Sequence, residues 1–129
     1  QNGAVGYVDL GDAVAAKLAT AKVKNVSGAY VAPTLEGASA ALDGATINPN
    51  LTYDPLNASG AAAYPITAPT WILVYQNQPD ATTLANLKGF LHFVLTKGQE
   101  GAASVNFAKL PASLDQKAIA QLDQLQVKA

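Results

Sequence analysis

The side chains that could take part in acid–base or metal chemistry are few and scattered along the 129 residues. His92 is the sole histidine and lies between Leu91 and Phe93 in a stretch with helical periodicity, a position typical of a helix-surface or interface histidine. Asp9 and Asp12 stand just before and at the start of another helical pattern, where capping of helix amides is favoured over metal binding. We therefore assign no catalytic residue, no metal ligand and no cofactor.

The charged residues exclude further classes of function. All eight basic residues are lysines, so the chain has no planar guanidinium fork to grip a tetrahedral oxyanion. The net charge is −1, which leaves no basic face for nucleic acid, and we predict no nucleic-acid partner. Cysteine is absent, which removes thiolate catalysis and disulfides. With no nominated nucleophile, base or metal set, the chain is not predicted to be an enzyme.

The first half of the chain alternates between β-type and helical patterns, followed by a dense run of turn-forming residues. We predict the following elements: a strand over residues 4–9, a helix from Leu10 to about Ala21, an antiparallel hairpin or extended excursion over 22–34, a helix capped by Thr34 and ended by Gly44, and a loop over 45–60.

The second half contains the strongest strand pattern and the most regular helical pattern. We predict a strand over Ile66–Tyr75, a helix through Leu84–Leu95 capped by Asp80 or Thr82 and closed by Gly98, a short helical piece at Ala102–Val105, and a last helix opened by a capping box of Ser113 with Gln116 and running through Leu125. No apolar run approaches the ~18 to 20 residues of a membrane span.

Several segments, in order, resemble the C-terminal portion of the PstS-type phosphate-binding proteins of bacteria. Asn2-Gly-Ala-Val-Gly-Tyr-Val8 is similar to that family's G-x-[IV]-G-Y-V strand, and Val31-Ala-Pro-Thr-Leu-Glu36 to its V-x-P-T-x-E turn. Ala63-Tyr-Pro-Ile-Thr67 with Thr70-Trp-Ile-Leu-Val74 resembles the stretch where the chain returns from the second lobe to the first. Leu87-Lys-Gly-Phe-Leu-His-Phe-Val94 resembles its long lobe-one helix.

The resemblance implies an α/β chain that is part of a two-lobed type II periplasmic-binding-protein fold, with a mixed sheet flanked by helices. Residues 1–63 would complete the second lobe, and residues 64–129 would complete the first. Tyr64, Pro65, Ile66 and Thr67 would form the hinge crossover. The phosphate ligands of the family have no counterpart in this chain, so no phosphate-binding residue is assigned within it.

The implied function is that of the C-terminal half of an extracytoplasmic receptor that delivers inorganic phosphate to an ABC importer. Its implied partners are the missing N-terminal half, phosphate through the complete protein, and the membrane permease. The alternative is a stand-alone secreted or cell-surface interaction module derived from such a receptor, without ligand binding of its own. Phosphate versus a related oxyanion, the oligomeric state, and a natural versus a proteolytic fragment stay open at this point.

Overall fold

A computed structural model describes residues 3–128, and within them the protein combines four α-helices with two small two-stranded sheets. The mixed α/β class expected from the sequence is confirmed. The helices and strands are α1 (Leu10–Ala15), β1 (Val23–Lys24), β2 (Tyr30–Val31), α2 (Leu35–Asp43), β3 (Asn77–Gln78), α3 (Ala81–Leu95), a 3₁₀ helix (Lys97–Val105), α4 (Ala112–Gln121), a 3₁₀ turn (Leu122–Gln124) and β4 (Gln126–Val127).

The two sheets join different parts of the chain. β1 and β2 form an antiparallel hairpin that pairs Val23 with Val31, and Gly28 supplies the positive φ of +85° that its turn requires. The predicted hairpin is therefore confirmed. β3 and β4 are parallel, and they pair Asn77 with Gln126 across 49 positions of sequence.

The caps of α2 and α3 confirm the sequence-based predictions. Thr34 accepts a hydrogen bond from the Gly37 amide at 3.0 Å, and α2 ends at Gly44 as expected. Asp80, rather than Thr82, caps α3 by accepting from the Thr83 amide at 2.7 Å. Each cap satisfies an amide that the first turn of a helix leaves without an intrahelical acceptor.

The boundaries of α1, α3 and α4 differ from the predictions. α1 has only six residues, because Lys17 adopts a left-handed φ of 52° and ends the turn well before Ala21. α3 stops at Leu95, and Gly98 lies inside the 3₁₀ helix that follows. α4 begins at Ala112 with Pro111 at the cap, so the predicted capping box at Ser113 is wrong. The amides of Leu114 and Asp115 donate to the Pro111 carbonyl oxygen, and no side-chain oxygen caps the first turn.

Two predicted strands are also wrong. Residues 4–9 and 66–75 have no regular secondary structure, although both are rich in β-branched and aromatic residues. A strand needs a neighbour to accept and donate its backbone hydrogen bonds, and no other strand of residues 3–128 lies beside either segment. A β-type composition is therefore not sufficient for strand formation in these two segments.

A single buried amide fastens the loop before residue 64 to the hairpin. Asn25 is only 5% exposed. Its Nδ2 donates to the carbonyl oxygens of Gly60, Ala61 and Ala63 at 3.0, 3.2 and 3.0 Å, and its Oδ1 accepts from the Ala29 amide at 3.0 Å. We call this set of contacts the Asn25 clasp. It joins segments 35 to 38 positions apart, so it is a tertiary contact rather than a turn.

A second close approach holds the same loop against the end of α2. A Cβ built on Gly44 would lie 2.0 Å from the carbonyl oxygen of Ser59. The neighbour is backbone and cannot rotate away, so only glycine fits at this position. Glycine is needed here for space alone, because its φ of −82° is accessible to any residue.

We predict that Asn25→Ala lowers the free energy of unfolding by about 2 kcal/mol, because the buried Ala63 carbonyl, the part-buried Ala61 carbonyl and the Ala29 amide lose a hydrogen bond. Chemical denaturation followed by circular dichroism measures the change. Asn48→Ala is the matched control, since Asn48 is exposed and bonds only Thr52 and the loop backbone beside it, and it should stay within about 0.5 kcal/mol of wild type. Equal losses in the two variants would contradict the clasp.

We also predict that Gly44→Ala destabilises the chain by about 2 kcal/mol through the contact with Ser59. Gly89→Ala provides the opposite control. Gly89 lies inside α3, and nothing is within 4 Å of a Cβ placed there, so alanine should raise helix stability by about 1 kcal/mol. The two variants should therefore move the unfolding midpoint in opposite directions; a shift of the same sign in both would refute the steric argument.

Candidate functional site

The residues predicted to form a hinge, Tyr64–Thr67, lie where the clasped loop gives way to an exposed segment. The Tyr64 amide donates to the Gly37 carbonyl oxygen of α2 at 2.9 Å, and the Pro65 carbonyl oxygen accepts from the Asn57 amide at 2.8 Å. Pro65 is buried, whereas Ile66 is 63% exposed. Tyr64 and Pro65 are thus hydrogen-bonded to the N-terminal part of the chain, whereas the Ile66 side chain is exposed to solvent.

A local bond stiffens the start of the exposed segment. The Thr67 hydroxyl donates to the Tyr64 carbonyl oxygen at 2.9 Å, which closes a turn over Pro65 and Ile66. Pro65 fixes its own φ and biases Tyr64 away from the helical region. The chain direction is thus well defined where it leaves the clasped loop.

After this turn the chain passes through the Trp71–Tyr75 segment, five consecutive apolar or aromatic residues. The Trp71 ring lies 4.9 Å from the ring of Tyr53 at an angle of 52°, which is an ordinary tilted aromatic pair. Beyond it, Leu73 and Tyr75 are 90% and 87% exposed. Water-exposed aromatic and aliphatic side chains in an unbroken run are typical of a surface that another polypeptide covers.

The histidine and the two N-terminal aspartates belong to different helices. His92 is exposed in the middle of α3, and Asp9 and Asp12 are exposed at the start of α1. Asp9 makes no side-chain capping bond, so the capping expected there is not seen. Among residues 3–128 no group of three or more histidine, aspartate or glutamate side chains is placed to hold a metal ion.

Helix N-termini are the usual anion sites of a fold with short helices, because their first amides point outwards without partners. In α2 and α3 one of these amides already donates to a side-chain oxygen of the chain itself, whereas α1 and α4 have no side-chain cap. The Thr34 hydroxyl accepts from the Gly37 amide of α2. Asp80 accepts from the amide and from the hydroxyl of Thr83 in α3. The hydrogen bonds from the backbone and hydroxyl of Thr83 lower the pKa of Asp80, so a negative charge occupies that N-terminus.

Residues of the 44–58 stretch line an open concavity of about 490 Å³. Its charged side chain is Asp54, and polar groups of Asn48 and Thr52 line it beside Tyr53. Burial raises the pKa of Tyr53, which keeps its phenol neutral up to higher pH than usual. A carboxylate without a basic neighbour repels an anion, so this cleft does not fit phosphate.

The sequence alone did not indicate the tertiary contacts of Asn25 and Tyr53. Asn25 stands two positions before the Ser27-Gly28 turn, where asparagine is common for local reasons. Its partners lie more than 30 positions away, so no local pattern could have indicated them. Tyr53 lies within the turn-rich loop, and its pairing with Trp71 likewise depends on the tertiary path.

The protein as a whole exposes far more surface than a compact chain of its mass. Its accessible surface is 8934 Å². A folded monomer of this mass is expected to expose roughly 6,400 Å². The described residues that form the buried apolar core are three alanines and four leucines: Ala13, Ala41, Leu42, Ala63, Leu91, Leu114 and Leu125. None of the described helices is both long and apolar enough to cross a membrane.

No protein-family model matches the chain. Curated relatives are nevertheless found among phosphate-binding proteins named PstS. That of Xylella fastidiosa (strain 9a5c) is 31% identical over 114 residues, covering 87% of this chain and 31% of the relative. That of Methanocaldococcus jannaschii is 34% identical over 110 residues, covering 74% of this chain and 28% of the relative.

The PstS protein of Haemophilus influenzae is 27% identical over 112 residues, covering 85% of this chain and 34% of the relative. The chain thus spans about a third of the length of the curated relatives that it matches. Similarity at this level over most of the chain, found repeatedly with proteins of one name, shows a distant relationship of this chain to the PstS phosphate-binding proteins.

Proposed function

We propose that this chain is the C-terminal half of an extracytoplasmic phosphate-binding receptor that supplies inorganic phosphate to the permease of an ABC importer. The similarity to PstS proteins over most of the chain carries the proposal. The role of the chain in the receptor is structural: it completes both lobes and contributes the crossover between them. Phosphate would be held chiefly by residues of the N-terminal part.

The chemistry of the described residues supports a structural role for this chain and the assignment of phosphate binding to the N-terminal part. The Thr34 hydroxyl caps the N-terminus of α2, the Asp80 carboxylate caps that of α3, and the sequence contains no arginine. A phosphate ion inside a protein needs several charge-assisted donors, and residues 3–128 do not gather them in one place. We assign the phosphate ligands to a polypeptide that packs against this one.

The exposed surface favours a part of a larger receptor over a stand-alone module. The accessible area exceeds that of a compact monomer by roughly 2,500 Å², whereas a standard interface buries roughly 800 Å² on each partner. An independent secreted module would cover apolar groups such as Trp71–Tyr75 within its own residues, and here they remain in water.

The hinge proposal takes residues 1–63 as part of the second lobe and residues 64–129 as part of the first, with Tyr64–Thr67 as the crossover. The hydrogen bonds of Tyr64 and Pro65 indicate at which residue a rotation between the lobes would begin. Tyr64 and Pro65 are bonded to α2 and Asn57 on the second-lobe side. Rotation between the lobes would therefore take place from Ile66 onwards, and Pro65 would be its fixed end.

We predict that residues 1–129 alone bind inorganic phosphate no more tightly than millimolar, because they lack a convergent set of donors. Isothermal titration calorimetry with phosphate, and with chloride as the control anion, measures this. Addition of the N-terminal polypeptide of the same receptor should restore saturable binding. Micromolar binding by residues 1–129 alone would contradict the assignment of the ligands to the other half.

In the assembled receptor, we predict that His92→Ala leaves phosphate affinity within about twofold of wild type, since His92 is exposed on α3 away from the crossover. The same titration tests it. A loss of tenfold or more would place His92 at the ligand and would overturn its assignment as a surface residue.

We further predict that Pro65→Gly in the complete receptor changes the apparent phosphate affinity severalfold, because glycine loosens the fixed end of the crossover and shifts the closed-state population. Ligand contacts in the phosphate-bound crystal structure should stay unchanged. Pro79→Gly, which lies before α3 and outside the crossover, is the matched control and should leave affinity unaltered. Equal affinities for the Pro65 variant and wild type, at equal thermal stability, would remove the hinge role.

A further inference from the structure

The hairpin and the loop over residues 45–60 carry three triplets in which asparagine is followed, two positions later, by serine or threonine. They are Asn25-Val26-Ser27, Asn50-Leu51-Thr52 and Asn57-Ala58-Ser59. This pattern is the acceptor sequence for N-linked glycosylation of secreted proteins, and it is also common by chance. A transferring enzyme must take the asparagine side chain into its own active site. The surroundings of each asparagine therefore decide which triplet the folded chain can offer.

The asparagine of the first triplet is inaccessible. Asn25 is only 5% exposed. Its Nδ2 is the atom to which a sugar would be attached, and this atom donates to the carbonyl oxygens of Gly60, Ala61 and Ala63. A glycan on this nitrogen would displace the Asn25 clasp. Transfer to Asn25 therefore requires this part of the chain to open first.

The third triplet is exposed but fastened to other parts of the chain. The Asn57 side-chain oxygen accepts from the Val26 amide of the hairpin turn at 2.9 Å, and the Asn57 amide donates to the Pro65 carbonyl oxygen at 2.8 Å. The Ser59 hydroxyl donates to the Gly44 carbonyl oxygen at the end of α2, at 3.5 Å. Moving this triplet into an enzyme would break contacts with the hairpin and with α2.

The second triplet, in contrast, forms a turn whose backbone bonds are local. The Asn48 amide donates to the Thr52 carbonyl oxygen, and the Leu51 amide donates to the Asn48 carbonyl oxygen, both at 2.9 Å. Leu51 adopts a left-handed φ of 64°, which closes the turn. Asn50 and Thr52 are both exposed. The turn can therefore enter an enzyme with its own backbone bonds as the main cost.

The two residues that define an acceptor already contact each other in this turn. The Thr52 hydroxyl donates to Asn50 Oδ1 at 2.7 Å, and the Thr52 amide donates to the same oxygen at 3.1 Å. Both bonds draw electron density towards Oδ1, which makes the Nδ2 protons more acidic, and neither bond occupies Nδ2. The Gln121 side chain donates to the Pro49 carbonyl oxygen at 3.3 Å, a long bond between exposed groups that contributes little.

We propose that Asn50 is the N-glycosylation acceptor of the folded chain, with an oligosaccharide carried on a lipid phosphate as the donor. Nδ2 forms a bond to the anomeric carbon of the first sugar, and the bond from that carbon to the phosphate oxygen breaks. The phosphate leaves with the electron pair, and Nδ2 gives up one of its two protons to a base of the transferring enzyme. This inference rests on the extracytoplasmic location in the proposed function and not on phosphate binding.

The aspartates of the chain allow the three triplets to be analysed separately. Cleavage on the N-terminal side of aspartate gives one peptide for each triplet, in chain order 12–42, 43–53 and 54–79. The folded chain is incubated with a purified single-subunit oligosaccharyltransferase and its lipid-phosphate-linked oligosaccharide, and it is then cleaved. The mass of each peptide reports the transfer. The same peptides, prepared before the reaction, are unfolded acceptors of identical sequence.

We expect the folded chain to gain the oligosaccharide on peptide 43–53 at least about tenfold faster than on 54–79, because freeing Asn57 breaks a tertiary hydrogen bond. Peptide 12–42 should gain none. Thr52→Ser is the matched variant, since it makes all three triplets end in serine. Its folded chain should keep the preference for Asn50, whereas its three free peptides should accept the oligosaccharide at rates within about threefold of one another.

Two further variants locate the modified atom. Asn50→Gln should remove the modification, and Asn57→Gln should leave its rate unchanged; circular dichroism checks that both variants fold. Transfer to 12–42 or 54–79 of the folded chain as fast as to 43–53 would refute the proposal. So would a folded chain that stays unmodified at Asn50 while the free peptide 43–53 is modified. Failure of the assembled receptor to bind phosphate would remove the proposed function and leave this acceptor site standing.

Discussion

The arrangement of the first half of the molecule depends on the side-chain amide of Asn25. One NH₂ group donates to three carbonyl oxygens of residues 60–63, and the amide oxygen holds the hairpin turn through Ala29. Because Asn25 and Ala63 are buried, their polar groups would be costly to leave without a partner. The clasp fixes the loop that carries Ala63, and through it the position from which Tyr64 and Pro65 leave this part of the protein.

The second half of the molecule is organised differently, since its helices pack on one another while its central apolar segment does not. α3 packs against α4 and the 3₁₀ helix, and its neighbours β3 and β4 form a parallel ladder of only two residues on each strand. The same helix also exposes Phe90 and Phe93. A helix that is apolar on more than one side is normally buried from more than one direction. This half therefore exposes apolar side chains that its own helices do not cover.

The sequence predicted features whose causes are local and failed where partners are distant. Thr34, Asp80 and the Gly28 turn were predictable because a capping oxygen or a positive φ involves only the next few residues. The strand over Ile66–Tyr75 was not formed, because strand formation requires a neighbour that residues 3–128 do not supply. In the candidate site, the hinge residues were chosen from resemblance, while the bonds from Gly37 and Asn57 that anchor them could only come from coordinates.

The long span of the Asn25 clasp has a consequence for the order of folding. α2 and the second strand of the hairpin lie inside the loop that the clasp closes, and both the hairpin and α2 are made of contacts between near neighbours, which form in microseconds. Closing the loop of about 38 positions comes after them, since its entropy must be overcome before the carbonyls of residues 60–63 reach the amide. We therefore expect the clasp to form late in folding, so that its loss would speed unfolding more than it slows folding.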